Sequence, residues 1–244
     1  MKNKEKLQKA VNDVFKKYSK NKVMAVYVSG SYLNNLMTET SDVDLYVVLE
    51  QSKRSLVFGQ FKSGQEHGEN DFKFMESYKF VQLLYKTNPN MLELVFEYPV
   101  YVNDKFKPLA DFLYDNKNKL VKMNQERYYS SCYHMLKNNY NKLKNGSGKV
   151  ALNYAGKEVM NFYKVYYQAK ACSKDLDLSN FVKLSGDLQQ KLMEYKLKKS
   201  YTESEKQLEL KNMEDCLKEL SLLKDKFVDT NVDELFFEKV LSFL

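Results

Sequence analysis

Two aspartates set one residue apart, Asp42 and Asp44, are the residues best suited to chemistry, and a Gly30-Ser31 turn stands a short way before them. The turn closes the apolar run Val23-Met-Ala-Val-Tyr-Val-Ser, and the aspartates open a second one, Asp42-Val43-Asp44-Leu45-Tyr-Val-Val-Leu49. Residues two apart on a strand share a face, so the carboxylates would lie side by side while Val43 and Leu45 enter a core. Two neighbouring carboxylates repel unless a cation lies between them, and hard oxygen ligands suit Mg²⁺. Gly30 lets backbone approach a ligand closely, and Ser31 would begin a short helix whose N-terminus favours anions. A divalent metal beside a phosphate cradle is apparatus for phosphoryl or nucleotidyl transfer.

Those elements must be positioned by a scaffold. Apolar residues at Leu7, Val11, Val14 and Phe15 give a helical period over 4–19. The first strand is expected at 23–29, a short helix at 30–37 and the second strand at 42–49. Residues 55–61 suit a strand or a short helix, and the polar, glycine-containing 62–70 a loop or hairpin turn. Asp71-Phe72-Lys73-Phe74-Met75-Glu76 alternates like the second strand, with Phe72 and Phe74 toward the core and Asp71 on the opposite face. A helix over 77–86 follows, and Asn88-Pro89 starts another. An extended piece at 99–102 and a helix near 105–116 precede the polar Asn116-Lys-Asn-Lys119, the boundary between domains 1–118 and 119–244. The second half reads as helical throughout. Its stripes are Tyr129, Cys132, Leu136, Tyr140 and Leu143, then Val159, Phe162, Tyr163 and Tyr166, then Leu188, Leu192 and Leu197. A further helix over Leu208 through Phe227 and a short terminal one from Val232 complete it.

Gly30-Ser31 followed by Ser41-Asp42-Val43-Asp44-Leu45 resembles the signature of the DNA polymerase beta-like nucleotidyltransferase superfamily. The resemblance implies an α+β fold, a small mixed sheet with flanking helices, followed here by a C-terminal helical domain. It implies transfer of a nucleoside monophosphate from an NTP to a hydroxyl acceptor with release of pyrophosphate. Asp42 and Asp44 would hold two Mg²⁺ ions, with Mn²⁺ as a substitute. Asp71 would be the third metal-binding and catalytic carboxylate, with Glu69 as the alternative. Gly30, Ser31 and Ser41 would bind the nucleotide. The order of the Asp71 strand, a helix, Asn88-Pro89 and Leu92-Glu93-Leu94 resembles a narrower branch, nucleotidyltransferases of bacteria and phages associated in part with RNA repair. In that branch a lysine, a histidine and an arginine of a later helix face the nucleotide. Lys157, Asn161 and Lys164 stand at those places, so the resemblance assigns Lys157 and Lys164 to nucleotide binding, and Lys196 resembles a further lysine. A solvated polar face is the competing reading of these residues. The chain departs from many relatives in having Tyr32 and Tyr46 where they carry arginine.

Composition narrows the partners. Hydrophobic residues at 43% and aromatics at 14% exclude a disordered chain, while 8 glycines and 3 prolines favour long regular elements. No apolar run approaches the length of a membrane span, and the charged start shows no secretory leader. Cys132, Cys172 and Cys216 are scattered without ligand spacing, which with the absence of a leader gives a cytoplasmic expectation. With His67 and His134 as the sole histidines, a zinc site is not expected. A net charge of +7 permits RNA or tRNA as acceptor. Tyrosines beside basic residues at Arg127-Tyr128-Tyr129 and Tyr163-Lys164-Val-Tyr166-Tyr167 could stack bases or simply fill a core. A small molecule or a protein hydroxyl fits the same motif as RNA does. The non-enzymatic alternative is an inactive nucleotide-binding or antitoxin-like module.

Overall fold

The computed structural model describes residues 2–66, 72–146, 155–174, 177–223, 227 and 233–244. The chain divides into two compact units, Met1–Met123 with Val232–Leu244, and Asn124–Asn231. The sequence boundary was expected at 118/119, and the last helix packs with the first unit.

Along the first unit run α1 (Lys2–Lys17), a 3-10 turn (Lys20–Lys22), β1 (Val23–Val28), α2 (Gly30–Leu33), β2 (Leu45–Leu49) and α3 (Lys53–Phe58). They are followed by β3 (Ser63–Glu66), β4 (Phe72–Glu76), α4 (Ser77–Tyr85), α5 (Pro89–Val95), β5 (Tyr101–Val102), α6 (Lys107–Asp115) and α7 (Lys117–Lys122). The second unit holds α8 (Gln125–Asn145), α9 (Ala155–Ser173), α10 (Ser179–Val182), α11 (Gly186–Leu197) and α12 (Glu203–Leu223). The chain closes with α13 (Glu234–Leu241) in the first unit. This is the expected α+β architecture, a mixed sheet with flanking helices and then helices.

The five strands are ordered β3-β4-β2-β1-β5. β2 runs parallel to β4 with Leu45 opposite Phe72, and all other pairs are antiparallel. On one face Val43, Leu45, Val47, Val26 and Phe72 pack with Ala10, Val11 and Val14 of α1. On the other, Tyr27 stacks on Phe80 of α4 with ring centroids 5.7 Å apart. Each buried valine or leucine contributes about 1.5–3 kcal/mol, so apolar alternation sets the register and thereby decides which face the aspartates take.

Several boundaries differ from expectation. β2 starts at Leu45 rather than 42, because ladder pairing with β1 ends at Val28–Leu45. The residues before it still alternate, Val43 buried and both aspartates exposed. α2 stops at Leu33 instead of 37, and Asn35 adopts a left-handed φ of 55°, which breaks the helix. Residues 53–58 form a helix ended by Gly59 at φ 64°. Ser63–Glu66, expected as loop or turn, is an edge strand despite its low β-propensity. Pairing with β4 overrides propensity, and Gly64 makes room for the Phe74 ring, whose carbons lie 2.9 Å from where a Cβ would be.

The Asn88 carbonyl oxygen of the side chain caps α5 by accepting from the amides of Asn90 and Met91, with Pro89 in the first turn. Thr87 before it takes φ 51°, a strained conformation for a β-branched residue.

In the second unit α9 is buried on most sides, so the polar face of Lys157, Asn161 and Lys164 does not continue one turn further. Gln168 is fully buried and donates to the Phe181 carbonyl at 3.1 Å. Tyr128, Tyr129, Tyr163 and Tyr166 are core residues, which removes them from base stacking. Their hydroxyls are satisfied internally where partners are seen: Tyr129 donates to the Leu220 carbonyl, Tyr163 to Glu209 and Tyr166 to Glu219. Leu197 and Leu208, expected on apolar stripes, are exposed. Gly156 lets α9 meet α11 closely, since a Cβ there would lie 2.3 Å from the Lys198 carbonyl oxygen and 2.5 Å from that of Tyr195.

Candidate active site

The site is built at the end of β1 and the entry to β2. The Ser29 amide donates to the Asp44 carbonyl at 2.9 Å, prolonging the β1–β2 pairing by one step and fixing both chains in register. Ser29 stands at the N-cap position of α2 without a side-chain capping bond, and Gly30 opens the helix at φ 60°. A Cβ added to Gly30 would lie 2.3 Å from Asp44 Oδ2 and 3.1 Å from its Cγ. The carboxylate of Asp44 therefore rests against the first residue of α2, in space that only glycine leaves open. Conformation and proximity demand glycine independently here.

Asp42 lies on the same side as Asp44 with Val43 turned into the core, and both aspartates are exposed. The approach to them is a tied loop. The Thr38 amide donates to Ser41 Oγ at 2.8 Å, the two hydroxyls are 3.0 Å apart, and the Ser41 amide returns to the Thr38 carbonyl at 3.1 Å. Ser41, expected as a nucleotide contact, holds this loop and so sets where Asp42 begins.

Asp71, with Glu69 and His67, lies outside the described residues. Its sequence neighbour Phe72 is the register partner of Leu45, the neighbour of Asp44. Beyond it, Lys73 is the register partner of Tyr46 and exposed on the aspartate side of the sheet. Alternation along the strand put Lys73 on the face of Asp71 without a role, and parallel pairing sets it beside Tyr46. The tyrosines at the two arginine positions behave differently from arginine. Tyr32 packs against the α1-side core, and its buried hydroxyl has no hydrogen-bond partner among the described residues. Tyr46 is half-buried, and burial pushes its phenol above the ordinary value.

Three supports of the site carried no sequence signal that periodicity could reveal. Glu76, buried at the end of β4, accepts from the Ser52 amide at 3.2 Å, Ser55 Oγ at 2.9 Å and the Lys62 amide at 3.0 Å. Glu66 at the end of β3 pairs with Lys17, and Tyr18 packs against Phe72 and Phe74. These contacts tie α1, α3 and β3 to the strand that follows Asp71.

Lys157 is exposed and Lys164 half-exposed on α9, and Lys196 is half-exposed on α11. All three belong to the second unit, Gly30, Ser31, Ser41, Asp42 and Asp44 to the first. Among the described residues no group of three or more histidine, cysteine or acidic side chains forms a metal cluster. The pair fits a divalent cation by its chemistry: two exposed carboxylates on one side, against a glycine that leaves the approach open. No described helix is long and apolar enough to cross a membrane.

Residues 7–124 match the family model described as "Nucleotidyltransferase domain". No curated protein matches the chain. Among solved structures, the chain is similar to a nucleotidyltransferase-like protein from Exiguobacterium sibiricum 255-15, at 12% identity and a TM-score of 0.34. That match covers 90% of this chain and 77% of the other. A likeness of this size carries no argument about function.

Proposed function

We propose that the chain is a divalent-metal-dependent nucleotidyltransferase that moves a nucleoside monophosphate from an NTP to a hydroxyl acceptor and releases pyrophosphate. The observation that carries this reading is Asp44 seated against Gly30 in a segment similar to nucleotidyltransferase domains. Asp42, Asp44 and Asp71 would hold Mg²⁺ or Mn²⁺, which when bound supplies Lewis-acid stabilisation of the transferring phosphoryl group.

The remaining work falls to the chain. The amides at the start of α2 and the Ser31 hydroxyl hold the terminal phosphates, so that the α-phosphorus faces an incoming hydroxyl in line. Asp71 accepts the proton of that hydroxyl as the new phosphodiester bond forms. The bond between the α-phosphorus and the bridging oxygen breaks, and pyrophosphate leaves with the electron pair. Ser41 keeps Asp42 in place through its loop, and a nucleotide role for Lys157 and Lys164 rests on the resemblance alone.

RNA or a tRNA end is the acceptor we favour, from the net charge of +7. The test is incubation with each α-labelled NTP and Mg²⁺ or Mn²⁺, offering pooled RNA, small hydroxyl compounds and protein separately. Label on RNA in the wild type alone, absent with Asp42→Asn, supports the full reading. Label on another acceptor keeps the reaction and replaces RNA. Absence of label from all three overturns the enzymatic proposal.

A further inference from the structure

A groove of about 470 Å³ lies between α8 and α12 in the second unit, lined by Tyr140 and Lys144 from α8 and by Glu203, Lys206, Gln207, Leu210, Lys211 and Glu214 from α12. Its chemistry follows from helical spacing. Tyr133, Lys137, Tyr140 and Lys144 recur at four, three and four along α8, so tyrosine and lysine alternate down one face. On α12, Glu203, Gln207, Leu210, Lys211 and Glu214 likewise share a face. Leu210 and the Tyr140 ring are the apolar part of the lining.

Glu203 is held within the groove, where it accepts from Gln207 Nε2 at 3.1 Å, while Glu214 turns to a lysine outside it. Lys206 approaches Glu203 at 4.0 Å, and Lys218 takes Glu214 at 3.7 Å. Among the described residues Lys144 and Lys211 pair with no carboxylate. Lys144 sits over the Tyr140 ring, its nitrogen 5.5 Å from the centroid. The groove thus offers two ammonium groups outside any ion pair, a third held loosely by Glu203, and an aromatic ring, with three lysines against two glutamates in its lining. Residues 124–231 contain 19 lysines and arginines against 14 acidic residues, an excess of five out of the chain's +7.

We infer that this groove binds a short stretch of single-stranded nucleic acid, one base lying on Tyr140 and the flanking phosphates meeting Lys144, Lys206 and Lys211. An aromatic ring flanked by cations suits a base followed by phosphodiesters, since every base has a stacking face and the backbone supplies anions at regular intervals. An acidic peptide would find the cations but leave the ring unused. The inference does not rest on the proposed reaction, because binding is read without NTP or metal.

The experiment is fluorescence anisotropy of the full chain with a labelled single-stranded RNA oligonucleotide, titrated over a range of salt. Three phosphate contacts predict a slope of log affinity against log salt near −2, and each single Lys→Gln change at 144, 206 or 211 should reduce it by about 0.7. Tyr140→Ala should weaken binding about tenfold, while Tyr140→Phe retains it. Thermal unfolding of each variant checks folding; Lys144 and Lys211 are exposed and Tyr140 and Lys206 half-buried, so midpoints near the wild-type value are expected. Unchanged affinity and slope in folded lysine variants would overturn the inference. So would equal weakening by Tyr140→Phe and Tyr140→Ala, or tighter binding of poly-glutamate than of RNA.

Discussion

At the residue scale the account turns on the contact between Gly30 and Asp44. Replacing Gly30 by alanine puts a methyl group into the Asp44 carboxylate and holds an L-residue at φ 60°. The conformational part alone costs about 1–2 kcal/mol, and Asp44 must shift as well. Gly30→Ala should therefore lower both the urea midpoint and the rate, and a variant with wild-type stability and activity would show that the contact is unimportant. Asp42 behaves differently, being exposed with no structural burden in view. Asp42→Asn should leave stability within about 0.5 kcal/mol but cut turnover about a thousandfold, some 4 kcal/mol of barrier. Denaturation and rate measured on the same preparation separate the two effects. The Gly-Ser and Asp-x-Asp residues were legible in sequence because each type answers one chemical demand. The face of Lys73 was legible from alternation, but its pairing with Tyr46 was not, because parallel strand order is encoded in no local pattern.

At the element scale, alternation revealed β1, β2 and β4, and the Asn88 cap and Pro89 revealed α5. β3 escaped because Ser-Gly-Gln-Glu has little strand preference and is strand only by virtue of its partner. The polar face of α9 stops short because tertiary burial reaches Gln168, which its polarity does not foretell. Glu76 shows what such non-local contacts do: one buried carboxylate joins the start of α3, Ser55 and the entry to β3. Glu76→Ala should cost about 2–4 kcal/mol in chemical denaturation, because it leaves two backbone amides without their acceptor. Loss below about 0.5 kcal/mol would mean that water replaces the carboxylate. In the second unit Gly156→Ala drives a Cβ into two carbonyl oxygens of the α11 end. Backbone cannot swing aside as a side chain does, so a cost of about 1–3 kcal/mol is expected from the same measurement.

For the whole molecule, the charge pattern predicts the response to acid. Hydrogen bonds from lysines hold several carboxylates below their ordinary range: Lys198 lowers Glu205 to about 2, Lys170 lowers Glu219, Lys107 lowers Asp111 and Lys119 lowers Asp233. A carboxyl depressed in the folded state contributes stability above its unfolded value and loses it as pH falls through the folded one. The unfolding midpoint should be level from neutral pH to about 5 and fall between roughly 4.5 and 2; a midpoint that rises on acidification would contradict these pairings. Function at this scale rests on one claim, that the aspartate side of the sheet transfers the α-phosphoryl group with its nucleoside. Turnover with NTP labelled at the α-phosphate in one tube and the γ-phosphate in another tests it most directly. The account predicts α-label on the acceptor and γ-label in pyrophosphate, both lost with Asp44→Asn. Appearance of γ-label on the acceptor, or undiminished transfer by Asp44→Asn, would contradict it.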